Sequence, residues 1–418
     1  MPSQPFLFFP YFGKRLSLCR FLRFEMMVVV IIFLALLLKK HALTAAAGGL
    51  TFDIVNLGAK PDGKTDASHA LQSAWARACS STVASTVYVP KGRFYVQSGN
   101  FIGPCNYNSI TFLINGTLVA SSNFKVLAKS RTWISFSRIN ALSIYGGILD
   151  GQGTTLWACK NSGINTCSLG ATTLEVSDSQ NILINGLSSV NSQMYHIVVY
   201  DCQDVKIQGV KVLAASNSPN TDGIHVERSS NVTILNSNIR TGDDCISIGP
   251  GTSHLWMERL ACGPGHGISI GSLGKWWEEA GVENVTLKTA HFNGTMNGVR
   301  IKSWGRPSNG FAKNILFQHI VFDNVNNPLI IDQNYCPHNQ GCPGQASGVK
   351  ISNVRYEDIH GTSATEVGIN FECSPARPCN EIRLKDVKLI FKDQIAQASC
   401  EYATGTTLGL VQPSNCLV

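Results

Sequence analysis

The sequence predicts an all-β chain, a right-handed single-stranded parallel β-helix with a short N-terminal capping helix. Two recurrences and one exception carry that prediction. Four segments line up without gaps: Thr221-Asp222-Gly223-Ile224-His225-Val226, Asp243-Asp244-Cys245-Ile246-Ser247-Ile248, Gly265-His266-Gly267-Ile268-Ser269-Ile270 and Met296-Asn297-Gly298-Val299-Arg300-Ile301. Each has a polar position, a small residue and an apolar–x–apolar triplet. Their spacing, about 22 residues twice and then about 31, is that of a solenoid. A second theme recurs around them as Asn181-Ile182-Leu183-Ile184, Asp204-Val205-Lys206-Ile207, Asn231-Val232-Thr233-Ile234, Asn284-Val285-Thr286-Leu287, Asn314-Ile315-Leu316-Phe317 and Glu381-Ile382-Arg383-Leu384. Units of roughly 23 to 34 residues with several short strands and no helical period fit stacked parallel coils. A propeller, the main competitor, needs about 40 residues for each four-stranded blade. The exception is one stretch of helical period near the start, placed to plug the open end of the solenoid.

In chain order, residues 1–47 read as a targeting segment. Met26 to Leu38 is an unbroken apolar run with basic residues before it and Ala45-Ala46-Ala47-Gly48 after it. The run is shorter than the roughly 20 residues of a membrane span and ends near small residues suited to cleavage. An uncleaved anchor is the competing reading, favoured by Lys39-Lys40 directly after the run. Residues 48–418 are then a single parallel β-helix domain. Its opening strand is Phe52-Asp53-Ile54-Val55, followed by the turn Lys60-Pro61-Asp62-Gly63. Asp66 is placed to cap a helix with the apolar stripe Leu71, Ala74, Trp75 and Ala78. Val87–Val89, Phe94–Val96 and Ile110–Ile114 follow as strands.

Charged residues are 15% of the chain, whereas Gly alone numbers 38, which suits many tight turns between short strands. Much of the formal charge of +7 belongs to Lys14, Arg15, Arg20, Arg23, Lys39 and Lys40. The rest of the chain is close to neutral, without the basic footprint of a nucleic-acid binder. Of the 14 cysteines, five pairs lie close enough for local bridges. They are Cys245 with Cys262, Cys336 with Cys342, Cys373 with Cys379, Cys400 with Cys416 and Cys159 with Cys167. Cys19 lies in the targeting segment; a bridge from Cys79 to Cys105 would complete a set of six and leave Cys202 unpaired, although spacing alone does not prove connectivity. That density fits an oxidising compartment. The glycosylation acceptors at Asn115, Asn231, Asn284 and Asn293 agree with it.

Coils stacked at roughly 4.8 Å put Asp222, Asp244, His266 and Asn297 in one column, with Asp243 beside it. Glycosidic hydrolysis needs one carboxylic acid to protonate the leaving oxygen and one carboxylate to activate water or meet the sugar. Neighbouring carboxylates raise one another's proton affinity, so one stays protonated while another is ionised. Taken singly, Asp222, Asp243 and Asp244 would merely mark turns; brought together they form a site. His266 falls beside Asp244, with Gly263, Gly265 and Gly267 leaving room for a chain or ligand to approach. The glycines lack the strand–loop–helix context of a phosphate loop. A zinc site is not expected, because Cys262 is wanted for a bridge and no second His/Cys pair has ligand spacing. Arg300 and Lys302 share one strand face, so an anionic substrate is expected, with Arg300 gripping its carboxylate. Tyr335 follows the next strand and reaches the same groove.

Asn220-Thr221-Asp222, Gly242-Asp243-Asp244-Cys245, the run Gly263 to Ser272 and Arg300-Ile301-Lys302 resemble, in order, the four signature motifs of the polygalacturonases, pectin-degrading glycoside hydrolases. The resemblance covers nearly all of residues 48–418, and its opening is similar to the plant members. It implies inverting hydrolysis of α-1,4-linked galacturonan, endo or exo undecided, in the plant cell wall. By the same resemblance Asp243 is the general acid and Asp222 and Asp244 activate the water. His266 assists protonation or holds the acid, while Arg300, Lys302, Tyr335 and Asn220 bind substrate. No cofactor or metal is implied. The protein is expected to be a secreted monomer that binds pectin but not nucleic acid and is not inserted in a membrane after processing. A pectate lyase and a non-catalytic pectin-binding β-helix are the alternatives.

Overall fold

The computed structural model describes residues 49–163, 167–414 and 416–418. The targeting segment expected over residues 1–47 lies outside them. Among the described residues no helix is long and apolar enough to cross a membrane.

From Leu50 to Val418 the chain forms one compact unit whose strands sort into a 21-stranded and an 11-stranded sheet. The fold is the expected parallel β-helix. Each central coil gives one short strand to the smaller sheet, such as Ile224–Glu227, and two to the larger, such as Ser230–Leu235 and Asn238–Arg240. In later coils the pair merges into one bent strand, as in Val282–Asn293 and Phe311–Val325. The ladders are parallel apart from the hairpin joining Ile390–Phe391 to Gln394–Ile395.

The gapless alignment in the sequence is the observed register. Ile224 pairs with Ile246, Ile246 with Ile268, Ile268 with Val299 and Val299 with Leu329. All five side chains are buried, each contributing roughly 1.5–3 kcal/mol by leaving water. The second theme stacks likewise: Ile182, Val205, Val232, Leu255, Val285 and Ile315 follow one another up the larger sheet.

Its leading Asn marks a corner with left-handed backbone, φ 57° at Asn181, 54° at Asn231, 57° at Asn284 and 57° at Asn314. Short polar side chains tolerate this conformation best, and here they also bond between coils. Asn314 Nδ2 donates to Asn284 Oδ1 at 3.1 Å, and Asn353 Nδ2 to Asn314 Oδ1 at 2.9 Å. The amides thus satisfy one another where the chain turns.

Helix α1 (Ser68–Ser80) closes the N-terminal end, burying Leu71, Ala74, Trp75 and Ala78. The Trp75 ring lies 5.4 Å from Phe101 and 5.7 Å from Phe136. Ala67 occupies the N-cap, yet Asp66 still serves the helix start by accepting the Ser68 N–H at 3.0 Å. Helix α2 (Thr154–Asn161) is not foreshadowed in the sequence; it buries only Leu156 and Trp157, too short a pattern to show a period.

All six cysteine pairs expected from spacing are bridged. Cys79 joins Cys105 beside α1, and Cys159 at the end of α2 joins Cys167. Cys245 joins Cys262 within one coil. Three bridges staple the C-terminal third: Cys336 to Cys342, Cys373 to Cys379, and Cys400 to Cys416. None of these cysteines belongs to the groove chemistry; each closes a loop or ties down a chain end. Cys202 is buried and free.

Candidate active site

The carboxylates stand where strands of the smaller sheet begin. Asp222 precedes Ile224–Glu227, Asp243 and Asp244 precede Ile246–Ile248, and His266 precedes Ile268–Leu273. The glycines around His266 admit the neighbouring coil. A Cβ on Gly267, at φ 85°, would come 2.1 Å from the Asn297 carbonyl oxygen. One on Gly265 would meet the Asp243 carbonyl at 2.6 Å. The backbone is therefore drawn tight behind the site, and of the two occupants expected, chain or ligand, it is chain that approaches these glycines, the preceding turn at Gly265 and the following turn at Gly267.

Asp243 is the most accessible of the three acids, its side chain 19% exposed. Its Oδ1 accepts the Asp244 N–H at 2.8 Å and its Oδ2 accepts the Asn220 N–H at 3.2 Å. His266 Nδ1 lies 3.1 Å from Asp243 Oδ1. This corrects the expectation that pairs His266 with Asp244. The column aligns the Cα positions of His266 and Asp244, but the imidazole turns to the adjacent Asp243. Asn297 completes the column by donating to the His266 carbonyl at 3.0 Å.

Asp244 is buried and doubly paired. Lys302 Nζ reaches its Oδ2 at 2.9 Å and Arg300 Nη2 its Oδ1 at 2.9 Å. Ser269 Oγ donates to the same Oδ1 at 2.8 Å and accepts from Arg300 Nε at 2.9 Å. Burial works to raise the Asp244 pKa, but Lys302 and Arg300 outweigh it and hold the carboxyl below the usual range. The sequence places Arg300 and Lys302 as free cations facing substrate. Instead both are buried and committed to a carboxylate. Asp222 has no such counter-ion: burial first, then the charges of Asp243 and Asp244, push its carboxyl well above the usual range. Two carboxylates of one site are thus driven apart, one toward the acid and one toward the anion.

These residues open on a groove of about 1020 Å³ whose lining includes Asn220, Asp222, Asp243, Asp244, Lys302 and Tyr335. Arg300 lies beneath it. Tyr335 sits where expected, with Lys302 Nζ 5.0 Å and the Arg300 guanidinium 5.8 Å from its ring centre. Sequence reasoning missed Tyr195 and the pairing of His225. The Tyr195 ring stacks on His225 at 5.2 Å and 10°. His225 also bonds Ser247 Oγ through Nδ1 at 2.8 Å and Glu227 Oε2 through Nε2 at 3.0 Å. Burial, followed by the charges of Asp222 and Asp243, raises the Tyr195 hydroxyl. The two-residue spacing of His225 and Glu227 on one strand face was the available signal. Lys160 was also missed. It lies on α2 with Nζ 3.3 Å from Met194 Sδ, and burial lowers its pKa against the pull of Asp243.

Asp243, Asp244 and His266 bring ligand atoms within 4.8 Å of one another. The set does not suit a metal ion, because Asp244 already neutralises two protein cations and a third positive charge would stand against them. Cys262 is in a disulfide with Cys245 and offers no thiolate.

A groove on the side of a β-helix, lined by clustered acids with opposed proton affinities, is the arrangement of a glycoside hydrolase. Residues 79–410 match the model of glycosyl hydrolases family 28, and the chain belongs to that family. It is 62% identical to a polygalacturonase of Prunus persica over 90% of this chain and 95% of that protein. It is 43% identical to an exopolygalacturonase of Platanus acerifolia over 82% and 91% of the two chains. Among solved structures the fold matches the endo-xylogalacturonan hydrolase from Aspergillus tubingensis with a TM-score of 0.76. That likeness has 22% identity and covers 86% of this chain and 98% of the other.

Proposed function

We propose that the protein hydrolyses α-1,4-galacturonosyl linkages of pectin, with inversion, outside the cell in the plant wall. One observation carries the catalytic reading: Asp243 and Asp244 are adjacent, yet only Asp244 is tied down by two cations. Asp243 is left facing the groove with His266 against it. In this reading Asp243 is the general acid that gives a proton to the leaving glycosidic oxygen. A water on the opposite face attacks the anomeric carbon and loses its proton to the Asp222/Asp244 pair. His266 holds Asp243 in place, and Tyr335 and Asn220 contact the sugars. Lys302, whose tip reaches the groove, lends positive potential to a substrate that is itself a polyanion.

The family match and the plant relatives support this substrate, and the six disulfides support an oxidising, extracellular setting. The test is release of reducing ends from polygalacturonate, with the new anomeric configuration read by proton NMR. Product that absorbs in the ultraviolet at an unsaturated chain end would identify a lyase. Binding without new reducing ends would identify a non-catalytic pectin binder.

A further inference from the structure

Beyond the ends of the strands that carry the acids, residues 274–281 form a loop on one wall of the groove, and Lys275 and Trp276 line it. Trp276 is 64% exposed and Trp277 beside it 65%. Scattered exposed apolar residues need no explanation, but an indole on the wall of a polysaccharide groove does. The backbone beneath this indole is anchored at several points. The Glu279 carboxylate accepts the N–H groups of Gly274 and Lys275, the latter at 3.0 Å. Arg306 Nη1 donates to the Lys275 carbonyl at 3.2 Å, and the Asn309 N–H donates to the Trp277 carbonyl at 2.9 Å. A half-buried acid and two clamps on backbone carbonyls thus fix a turn whose side chains face solvent.

Lys275 Nζ lies 5.6 Å from the Trp276 ring centre. No carboxylate among the described residues pairs with it, in contrast to Lys302 and Arg300, which Asp244 consumes. Glu227, also on the groove, is paired with His225. Glu278 is the acidic neighbour that remains. An aromatic face beside a free ammonium is complementary to a galacturonosyl unit, which offers a C–H face to stack and a carboxylate to neutralise.

We propose that Trp276 and Lys275 form a galacturonosyl-binding station on the groove wall, away from the cleavage point, that selects long, unesterified polymer. The station rests on the polygalacturonase reading above. Its test compares kcat/KM for galacturonate oligomers of increasing length in wild type, Trp276→Ala, Trp276→Phe and Lys275→Met. Wild type should gain efficiency with length. Trp276→Ala should lose about threefold to tenfold of that gain through KM, with Trp276→Phe restoring most of it. Lys275→Met should lose part of it and discriminate less against methyl-esterified oligomers. Trp277→Ala, off the groove lining, should match wild type. An unchanged length profile in Trp276→Ala overturns the station. Failure of the wild type to release reducing ends from any galacturonan overturns the reading beneath it.

Discussion

Lys302 Nζ donates to Asp244 Oδ2 at 2.9 Å, although the two residues lie on coils two steps apart. The cation that sequence motifs assign to substrate is the counter-ion of a buried carboxylate. With Arg300 on the other oxygen, it holds the Asp244 carboxyl toward its ionised form.

Removing that partner should therefore damage turnover as well as binding. In Lys302→Met, Asp244 loses its largest favourable charge, so its pKa rises. In the proposed mechanism Asp244 must be ionised to take the proton of the water; the acid limb of the kcat profile should then move to higher pH, and kcat at the optimum should fall about tenfold or more. A change confined to KM, with the pH profile in place, would return Lys302 to a purely substrate-binding role. Stability should drop by about 3 kcal/mol or more, because a buried anion loses a partner, and urea unfolding measures that.

Asp243→Asn should lower kcat by about two to four orders of magnitude, the range for loss of a positioned proton donor. The side chain is partly exposed, and its amide would still accept the Asp244 N–H now bonded to Oδ1. The unfolding midpoint should stay near wild type, and polygalacturonate should still quench tryptophan fluorescence on binding. Retained turnover would remove Asp243 as the acid.

Where chain neighbours decide the geometry, the sequence spoke clearly. The register of Ile224, Ile246 and Ile268 follows from equal spacing. Bridges such as Cys336 to Cys342 and Cys373 to Cys379 follow from cysteines only six residues apart. What depends on side-chain direction did not show. A shared column aligned His266 with Asp244, whereas its imidazole is bonded to Asp243. Arg300 and Lys302 alternate correctly on one face, yet whether that face meets solvent or Asp244 is set by how far each chain bends back over two coils. Helix α2 and the loop of Trp276 have no repeat to be compared with, so periodicity was silent about both.

Gly267→Ala tests the claim that tight coil contact holds the site. Its φ of 85° is left-handed, and the new Cβ would lie 2.1 Å from the Asn297 oxygen and 2.4 Å from that of Gly298. Gly294 also has positive φ, 58°, but nothing lies within 4 Å of a Cβ there. Gly294→Ala should cost about 1 kcal/mol, the left-handed penalty alone. Gly267→Ala should cost several times that and lower activity as His266 shifts. Equal losses in the two unfolding curves would contradict the packing argument.

His196 gives the fold a pH dependence separable from catalysis. It is fully buried, its Nδ1 shares a 2.8 Å hydrogen bond with Ser189 Oγ, and its Nε2 has no partner among the described residues. Burial pushes its pKa down to about 3, against about 6.5 in an unfolded chain. Between those values the unfolded state binds the proton and the native state does not, so stability from this group falls as pH falls below about 6.5. At pH 4.5 the loss is about 2–3 kcal/mol relative to pH 7.5. Asp222, raised in the folded state, acts with the opposite sign, favouring the native state as pH drops, so the wild-type curve alone mixes the two. The difference between wild type and His196→Gln isolates the histidine. Glutamine does not titrate, so that difference, measured by urea unfolding, should shift in favour of the variant by about 2–3 kcal/mol between pH 7.5 and 4.5. A difference independent of pH would mean that native His196 takes up its proton as readily as the unfolded chain does, so that burial does not oppose its charge.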